Sequence, residues 1–189
     1  PMAEEKMLLD RQAGRWAMLG GCILGGGGGG AAALGEMLLE KLSTLPPLYL
    51  TPLDEIDPDA TILSVSLVGA PAAKEQFLRA EDMVRTVELF RLNNPDVKLG
   101  AIMTNENGYC ATVNGWAASV EAGGVVGVAR NPVTAAYVRK NGAVGGISQA
   151  IRLGQVYEEG LKTSPEAAVH AAADFLHGTV LCRGTVEEI

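Results

Sequence analysis

Two stretches of the chain have residue types and spacing suited to chemistry. The first is Gly25–Gly30, an unbroken run of glycines. Without a Cβ, such a run can turn its backbone N–H groups toward an anion or polar ligand. A helix predicted from Ala31 follows, and its first amides would carry partial positive charge. Gly26, Gly27, Gly28 and Gly29 are therefore candidate ligand-binding positions. The run is not a Walker A loop, because no Gly-Lys-Ser/Thr follows. It is a poor dinucleotide fingerprint too: it follows a predicted helix rather than a strand, with no acid at the expected spacing. The plain alternative is a flexible connector or tight helix packing.

The second stretch is Thr104-Asn105-Glu106-Asn107-Gly108. It leaves the carboxyl end of a predicted parallel strand, where open α/β sheets bind ligands. Glu106 is a candidate general base or ligand anchor, and Asn107 stands beside it as a candidate catalytic residue. The amides of Asn105 and Asn107 can hold a carbonyl or amide by paired hydrogen bonds. The alternative is an ordinary Asn/Gly turn. Arg130 leaves the next strand and can clamp a carboxylate in the same crevice; a solvated loop arginine is the alternative. Cys110, near a helix start, is either a nucleophile or a small buried core residue. His170 and His177 are two turns apart on one helix, too far for joint metal ligation from that helix. Cys22, Cys110 and Cys182 lie far apart with no Cys-x-x-Cys pair, which argues against a disulfide framework and a cysteine zinc site. No metal and no cofactor is expected.

The elements that must position these residues follow from hydrophobic period and punctuation. Asp10 can cap a first helix with Trp16, Leu19, Cys22 and Ile23 on one side. A second helix is predicted over Ala31–Leu42 and a short strand over Leu48–Thr51. Asp57-Pro58-Asp59 reads as a turn. Thr61–Val68, Leu99–Thr104 and Val125–Val128 read as buried strands. A helix with Phe77, Ala80, Met83, Val84, Val87 and Phe90 separates the first two, ended by Asn93-Asn94-Pro95. Another helix, over Ala111–Ala122, separates the second and third. Strand and helix alternation implies a parallel sheet with crossovers, hence an α/β fold. A helix around Ile147, Ala150, Ile151 and Tyr157 comes next. Ser164-Pro165-Glu166 opens a further one, lined by Ala168, Ala171, Ala172, Phe175 and Leu176 and ended by Gly178. Thr179–Glu187 reads as a strand.

The totals bound the answer. The chain has 189 residues, 48% hydrophobic and 20% charged, as expected of one globular domain. A net charge of −7 disfavours nucleic-acid binding. The apolar stretch at 17–35 is broken by glycines and is not a plausible membrane span, and no targeting signal is read. A reducing cytoplasm fits the cysteine usage. Association into a homo-oligomer is expected from the abundance of small apolar residues and from a terminal strand with no local partner.

Taken together, the motifs resemble the N-terminal domain of the S-methyl thiohydantoin desulfurase-like proteins. The resemblance starts at the Asp10 helix and is clearest in Leu24-Gly25-Gly26-Gly27-Gly28-Gly29-Gly30, where the family has a Leu-Gly-Thr-Gly-Gly-Gly-Gly type loop. It continues in the apolar strand Val65–Val68 with Gly69-Ala70-Pro71, and in Asn105-Glu106-Asn107-Gly108, where the family carries a Glu followed by Gly. Gly146-Ile147-Ser148-Gln149-Ala150-Ile151 and Arg183-Gly184-Thr185-Val186 look like its closing helix and the strand leading into its second, β-rich domain. The resemblance implies a three-layer α/β/α sandwich with a mostly parallel central sheet over residues 1–178. Residues 179–189 would form a terminal strand at the start of a β-rich domain missing from this chain. It implies a small-molecule ligand, a cyclic amide of the hydantoin type, and hydrolase chemistry on that ring. The chain departs from the family at Gly26, where the loop has Thr; at Ala31-Ala32, where it has Asp-Pro; and at Gly127, where it has an acid. These changes remove polar groups that a hydrolase would use. The alternative reading is a non-catalytic, ligand-binding subunit that docks on a separate β-rich partner.

Overall fold

The computed structural model describes residues 6–26, 28–52, 55–67, 74–75, 78–104, 107–122, 125–128 and 147–176. Helices and strands are mixed, as an α/β fold requires. Five strands form one sheet in the order β1-β2-β5-β4-β3. They are β1 (Met7–Leu8), β2 (Tyr49–Pro52), β3 (Thr61–Val65), β4 (Leu99–Thr104) and β5 (Val125–Val128). β1 runs antiparallel to β2. β2 pairs parallel with β5, β5 with β4, and β4 with β3. The three predicted strands thus share one sheet, although β3 stops at Val65, short of the expected Val68, and of its five residues Val65 alone is buried because β3 lies at the sheet edge. Asp57 makes the expected turn into β3: its carbonyl accepts from the Ala60 N–H at 3.0 Å and its side chain from the Asp59 N–H at 2.9 Å.

Helix α1 (Arg11–Leu24) starts where Asp10 predicts, with the Ala13 N–H donating to Asp10 Oδ1 at 2.8 Å. Its buried face is not the expected one. Ala13, Gly14, Ala17, Met18, Gly20, Gly21 and Leu24 are buried, while Trp16, Leu19, Cys22 and Ile23 are half-buried. The reason is close packing against α4 (Ile147–Leu161). A Cβ on Gly20 would stand 1.8 Å from the Ala150 carbonyl oxygen, and one on Gly154 would stand 1.9 Å from that of Trp16. Backbones this near leave no room for large side chains between them, so the bulky residues move to the flanks. There the Trp16 indole N–H donates to Glu158 Oε2 at 2.7 Å.

Helix α2 (Ala32–Leu42) buries Leu38, Leu39 and Leu42, and α3 (Ala80–Asn93) buries Ala80, Met83 and Val87. Lys41 and Glu81 bridge the two at 2.9 Å. α3 stops at Asn93, ahead of Pro95, as expected; Phe77 lies outside the described residues. In α5 (Pro165–Leu176) the Ser164 hydroxyl accepts from the Ala167 N–H at 3.0 Å, as the cap predicts. Ala168, Ala172 and Leu176 are buried there, and Ala171 and Phe175 are half-buried. Leu24 of α1, Ala150 and Leu153 of α4, and Ala172 and Leu176 of α5 form a second small core beside the main one.

One expected helix is a different structure. Ala111–Ala122 is a chain of tight turns ending in a 3₁₀ helix at Ala117–Ala122. Its bonds span three residues: Val113 N–H to Cys110 O (3.0 Å), Trp116 N–H to Val113 O (3.1 Å) and Ser119 N–H to Trp116 O (3.0 Å). Thr112, Val113, Asn114 and Gly115 are all weak α-helix formers. The segment from Cys110 to Ser119 is buried throughout, so packing on every side sets its path rather than an amphipathic helical period. Gly178 and Thr179–Glu187 lie outside the described residues.

Candidate functional site

The site is built where α1 ends and where β4 ends. α1 finishes with the Gly25 N–H donating to Gly21 O at 2.8 Å. The chain then turns through Gly26 at φ +62°, and the Gly28 N–H reaches back to Gly25 O at 3.1 Å. Gly29 and Gly30 follow at φ +86° and +90°, a region in which residues with a Cβ are strained. Ala31 is extended and α2 begins with no side-chain cap. Gly28, Gly30, Ala31, Ala32 and Ala33 are exposed. The positive end of the α2 dipole therefore opens to solvent through the glycine loop.

β4 delivers the other half. Three residues past Thr104 the chain reaches Asn107 and Gly108, both buried. The two loops are in direct contact. The Tyr109 N–H donates to Gly28 O at 3.1 Å and the Ala111 N–H to Gly29 O at 2.9 Å. A Cβ on Gly29 would lie 2.2 Å from Gly108 Cα, and one on Gly108 would lie 2.3 Å from Gly29 Cα. A Cβ on Gly25 would approach Asn107 O to 2.9 Å. Much of the glycine run thus serves close backbone approach, with the 107–111 loop as its partner. Gly26 and Gly28 differ from their neighbours. Among the described residues, Gly26 has nothing within 4 Å of a Cβ, and Gly28 has Gly25 O alone, at 3.3 Å.

Of the residues expected from the sequence, Gly28 and Gly29 meet the loop that carries Asn107, whereas no described atom of that loop lies within 4 Å of a Cβ on Gly26. Gly27, Asn105, Glu106 and Arg130 lie outside the described residues, as do His177 and Cys182. Cys110 is 3% exposed, and a Cβ on Gly30 would meet its Sγ at 2.3 Å; it is a small core residue under the glycine loop. His170 is exposed on α5.

Thr112 is the residue that sequence reasoning missed. It is wholly buried. Its hydroxyl donates to Gly108 O at 2.7 Å and accepts from the Gly108 N–H at 3.1 Å, with Asn107 Oδ1 3.4 Å away. Gly21 of α1 leaves the room: a Cβ there would fall 2.2 Å from Thr112 Oγ1 and 2.4 Å from Gly108 O. The available signal was a threonine four residues after Gly108, a spacing at which a hydroxyl bonds back to the preceding turn.

Among the described residues no helix is long and apolar enough to cross a membrane. No curated protein is significantly similar to the chain. A crystal structure of a protein from Chromobacterium violaceum is similar in fold, with a TM-score of 0.64 at 16% identity. The match covers 90% of this chain and 65% of that one, so the chain spans less than two thirds of that relative's length. The family described as S-Me-THD-like, N-terminal domain, matches residues 13–128, which hold the glycine loop, the Asn107 turn and all three parallel pairings of the sheet. The family's C-terminal domain matches residues 107–189, overlapping the first match from Asn107 to Val128. The chain belongs to the S-Me-THD-like family.

Proposed function

We propose that the chain binds a small cyclic amide of the hydantoin type where the glycine loop meets the Asn105–Gly108 turn. The observation that carries the reading is the contact between these loops beside the exposed, uncapped start of α2. Backbone amides there suit a carbonyl oxygen and the negative charge that develops on it. Gly26, Gly27, Gly28 and Gly29 line the place of that oxygen. The Gly26 and Gly28 N–H groups are already bonded to Ile23 O and Gly25 O, so the donors come from the rest of the loop and the first turn of α2, while Asn105 and Asn107 hold the ring amide and Arg130 takes a carboxylate tail. Glu106 anchors the ring N–H or, in a hydrolase, accepts a proton from water. Water then adds to the ring carbon bearing the methylthio group. Methanethiol leaves with the proton and a ring carbonyl remains. The family membership supports the ligand class, and the three-layer sandwich with a mostly parallel sheet belongs to the same proposal. So do the strand at 179–189, a cytoplasmic location and self-association.

Titration of the purified chain with hydantoin, followed by calorimetry, tests the reading. Glu106→Gln should weaken binding about tenfold or more, the worth of one charged hydrogen bond, with an unchanged melting temperature. No heat from hydantoin or its 5-substituted derivatives at millimolar concentration would refute it.

Gly26, Ala31 and Gly127, standing where the family resemblance has Thr, Asp and an acid, favour a second reading. In it the chain is a ligand-binding subunit on a separate β-rich partner. Co-expression with a lone C-terminal domain of the family, followed by size exclusion, distinguishes the two.

A further inference from the structure

Thr112 is bonded directly to the Asn107–Gly108 turn and reaches the glycine loop only through that turn. Its hydroxyl closes a ring on Gly108 by bonding both the N–H and the C=O of that residue. Gly108 in turn lies against Gly29, and the next two amide donors, Tyr109 and Ala111, hold the carbonyls of Gly28 and Gly29. On its other side Thr112 fills the hollow left by Gly21, so the turn is referenced to the axis of α1. α1 is itself held by its backbone contacts with α4. A rigid helix pair, one hydroxyl and one glycine thus connect to the loop that carries Asn107.

We infer that Thr112, seated in the gap at Gly21, is the positioning residue that sets the Asn107–Gly108 turn against the glycine loop and so fixes the geometry of the ligand site. The inference rests on the proposed function for its ligand, but not for its structural half. The reason for a hydroxyl is specific. Gly108 has a donor and an acceptor in a buried turn, and each needs a partner. One Thr or Ser oxygen can serve both, accepting from the N–H while donating to the C=O. Valine has the same shape but would leave both Gly108 groups without that partner. The turn would then relax toward water and away from Gly28 and Gly29. Thr112 touches no reacting atom and acts only through Gly108.

The experiment uses the full chain with Thr112→Val and Thr112→Ser. Amide hydrogen exchange at Tyr109 and Ala111 reads the contact between the loops, and calorimetry reads the affinity for hydantoin. In Thr112→Val, exchange at these two amides should rise about tenfold or more, as loss of both hydrogen bonds to Gly108 implies. Hydantoin affinity should fall by a similar factor, while exchange in α3 and α5 stays as in the parent. Thr112→Ser should restore both to within about threefold. Unchanged exchange at Tyr109 and Ala111 in Thr112→Val overturns the inference. So does a uniform rise across α1, α3 and α5, which marks a general loss of stability, and so does undiminished affinity alongside raised exchange. If Thr112→Val does not fold, Gly21→Ala takes its place, because its Cβ displaces the same hydroxyl; unchanged exchange at the two amides there is equally fatal. If hydantoin does not bind the parent chain, the functional proposal fails and the exchange comparison still decides the positioning role.

Discussion

Alanine substitutions along the glycine loop should differ by several kcal/mol, although they are chemically identical and lie within four residues of one another. Gly28 is not among the left-handed glycines, and the nearest described atom to a new Cβ there is Gly25 O at 3.3 Å. Gly28→Ala should therefore be near neutral, or stabilising by about 0.5 kcal/mol through the unfolded chain. At Gly26, φ is +62° and no described residue comes within 4 Å of a new Cβ, so Gly26→Ala should cost only the left-handed backbone, about 1 kcal/mol. At Gly29, φ is +86° and the Cβ would stand 2.2 Å from Gly108 Cα and 2.9 Å from both Gly108 C and Tyr109 N. All three are backbone atoms and cannot rotate away. About 1–2 kcal/mol of backbone strain adds to about 1–3 kcal/mol of overpacking, giving about 2–5 kcal/mol for Gly29→Ala. For a chain of this length that is a fall in melting temperature of about 5–15 °C. Urea denaturation of the three variants under one buffer condition measures the order. If Gly29→Ala comes within about 0.5 kcal/mol of Gly28→Ala, the small-effect range of unconstrained surface positions, the close approach of the two loops is refuted.

The helix pair gives a second test: Gly20→Ala and Gly154→Ala each push a Cβ onto a carbonyl oxygen and should each cost more than about 2 kcal/mol in the same assay. Asp10→Ala and Ser164→Ala remove caps that accept from Ala13 and Ala167 and should each cost about 1 kcal/mol, their effects adding in the double variant because the two helices begin independently. Asp57, Glu81 and Asp82 are held below the usual carboxylate range by hydrogen bonds from Lys98, Lys41 and Arg79 respectively. A carboxylate whose folded pKa is lowered contributes stability above its unfolded pKa, about 4, and loses it as pH falls through the folded value. Melting temperature should therefore decline below about pH 4, and the decline should be shallower in 1 M salt because all three groups are exposed to solvent screening; a salt-independent decline would contradict this.

The sequence alone determined the local features of this protein. Asp10, Ser164-Pro165 and Asn93-Asn94-Pro95 mark helix ends through bonds made within a few residues, and those ends are found where they were read. The apolar runs read at 61–68, 99–104 and 125–128 supply the strands Thr61–Val65, Leu99–Thr104 and Val125–Val128, which pair into one sheet. The two loops stand out by residue type, but an all-glycine run also suits close backbone packing and Asn-Glu-Asn-Gly also suits an ordinary turn, so residue type does not choose between the uses. Only the tertiary structure decided what the glycines are for. Gly20 and Gly154 stand in chemically similar surroundings in sequence, yet their role appears only when α4 meets α1. Gly26 and Gly29 differ by three positions, and whether a Cβ meets no described residue or Gly108 depends on a loop some eighty residues away. The same holds for the stretch after Cys110. Burial on every side made it a chain of turns rather than a helix; the four-residue spacing from Gly108 to Thr112 suggests a hydroxyl bonding back, but the hollow at Gly21 that receives this hydroxyl comes from a helix distant in sequence. Close packing between segments distant in sequence is set by shape in three dimensions, and a one-dimensional reading of residue types does not carry that information.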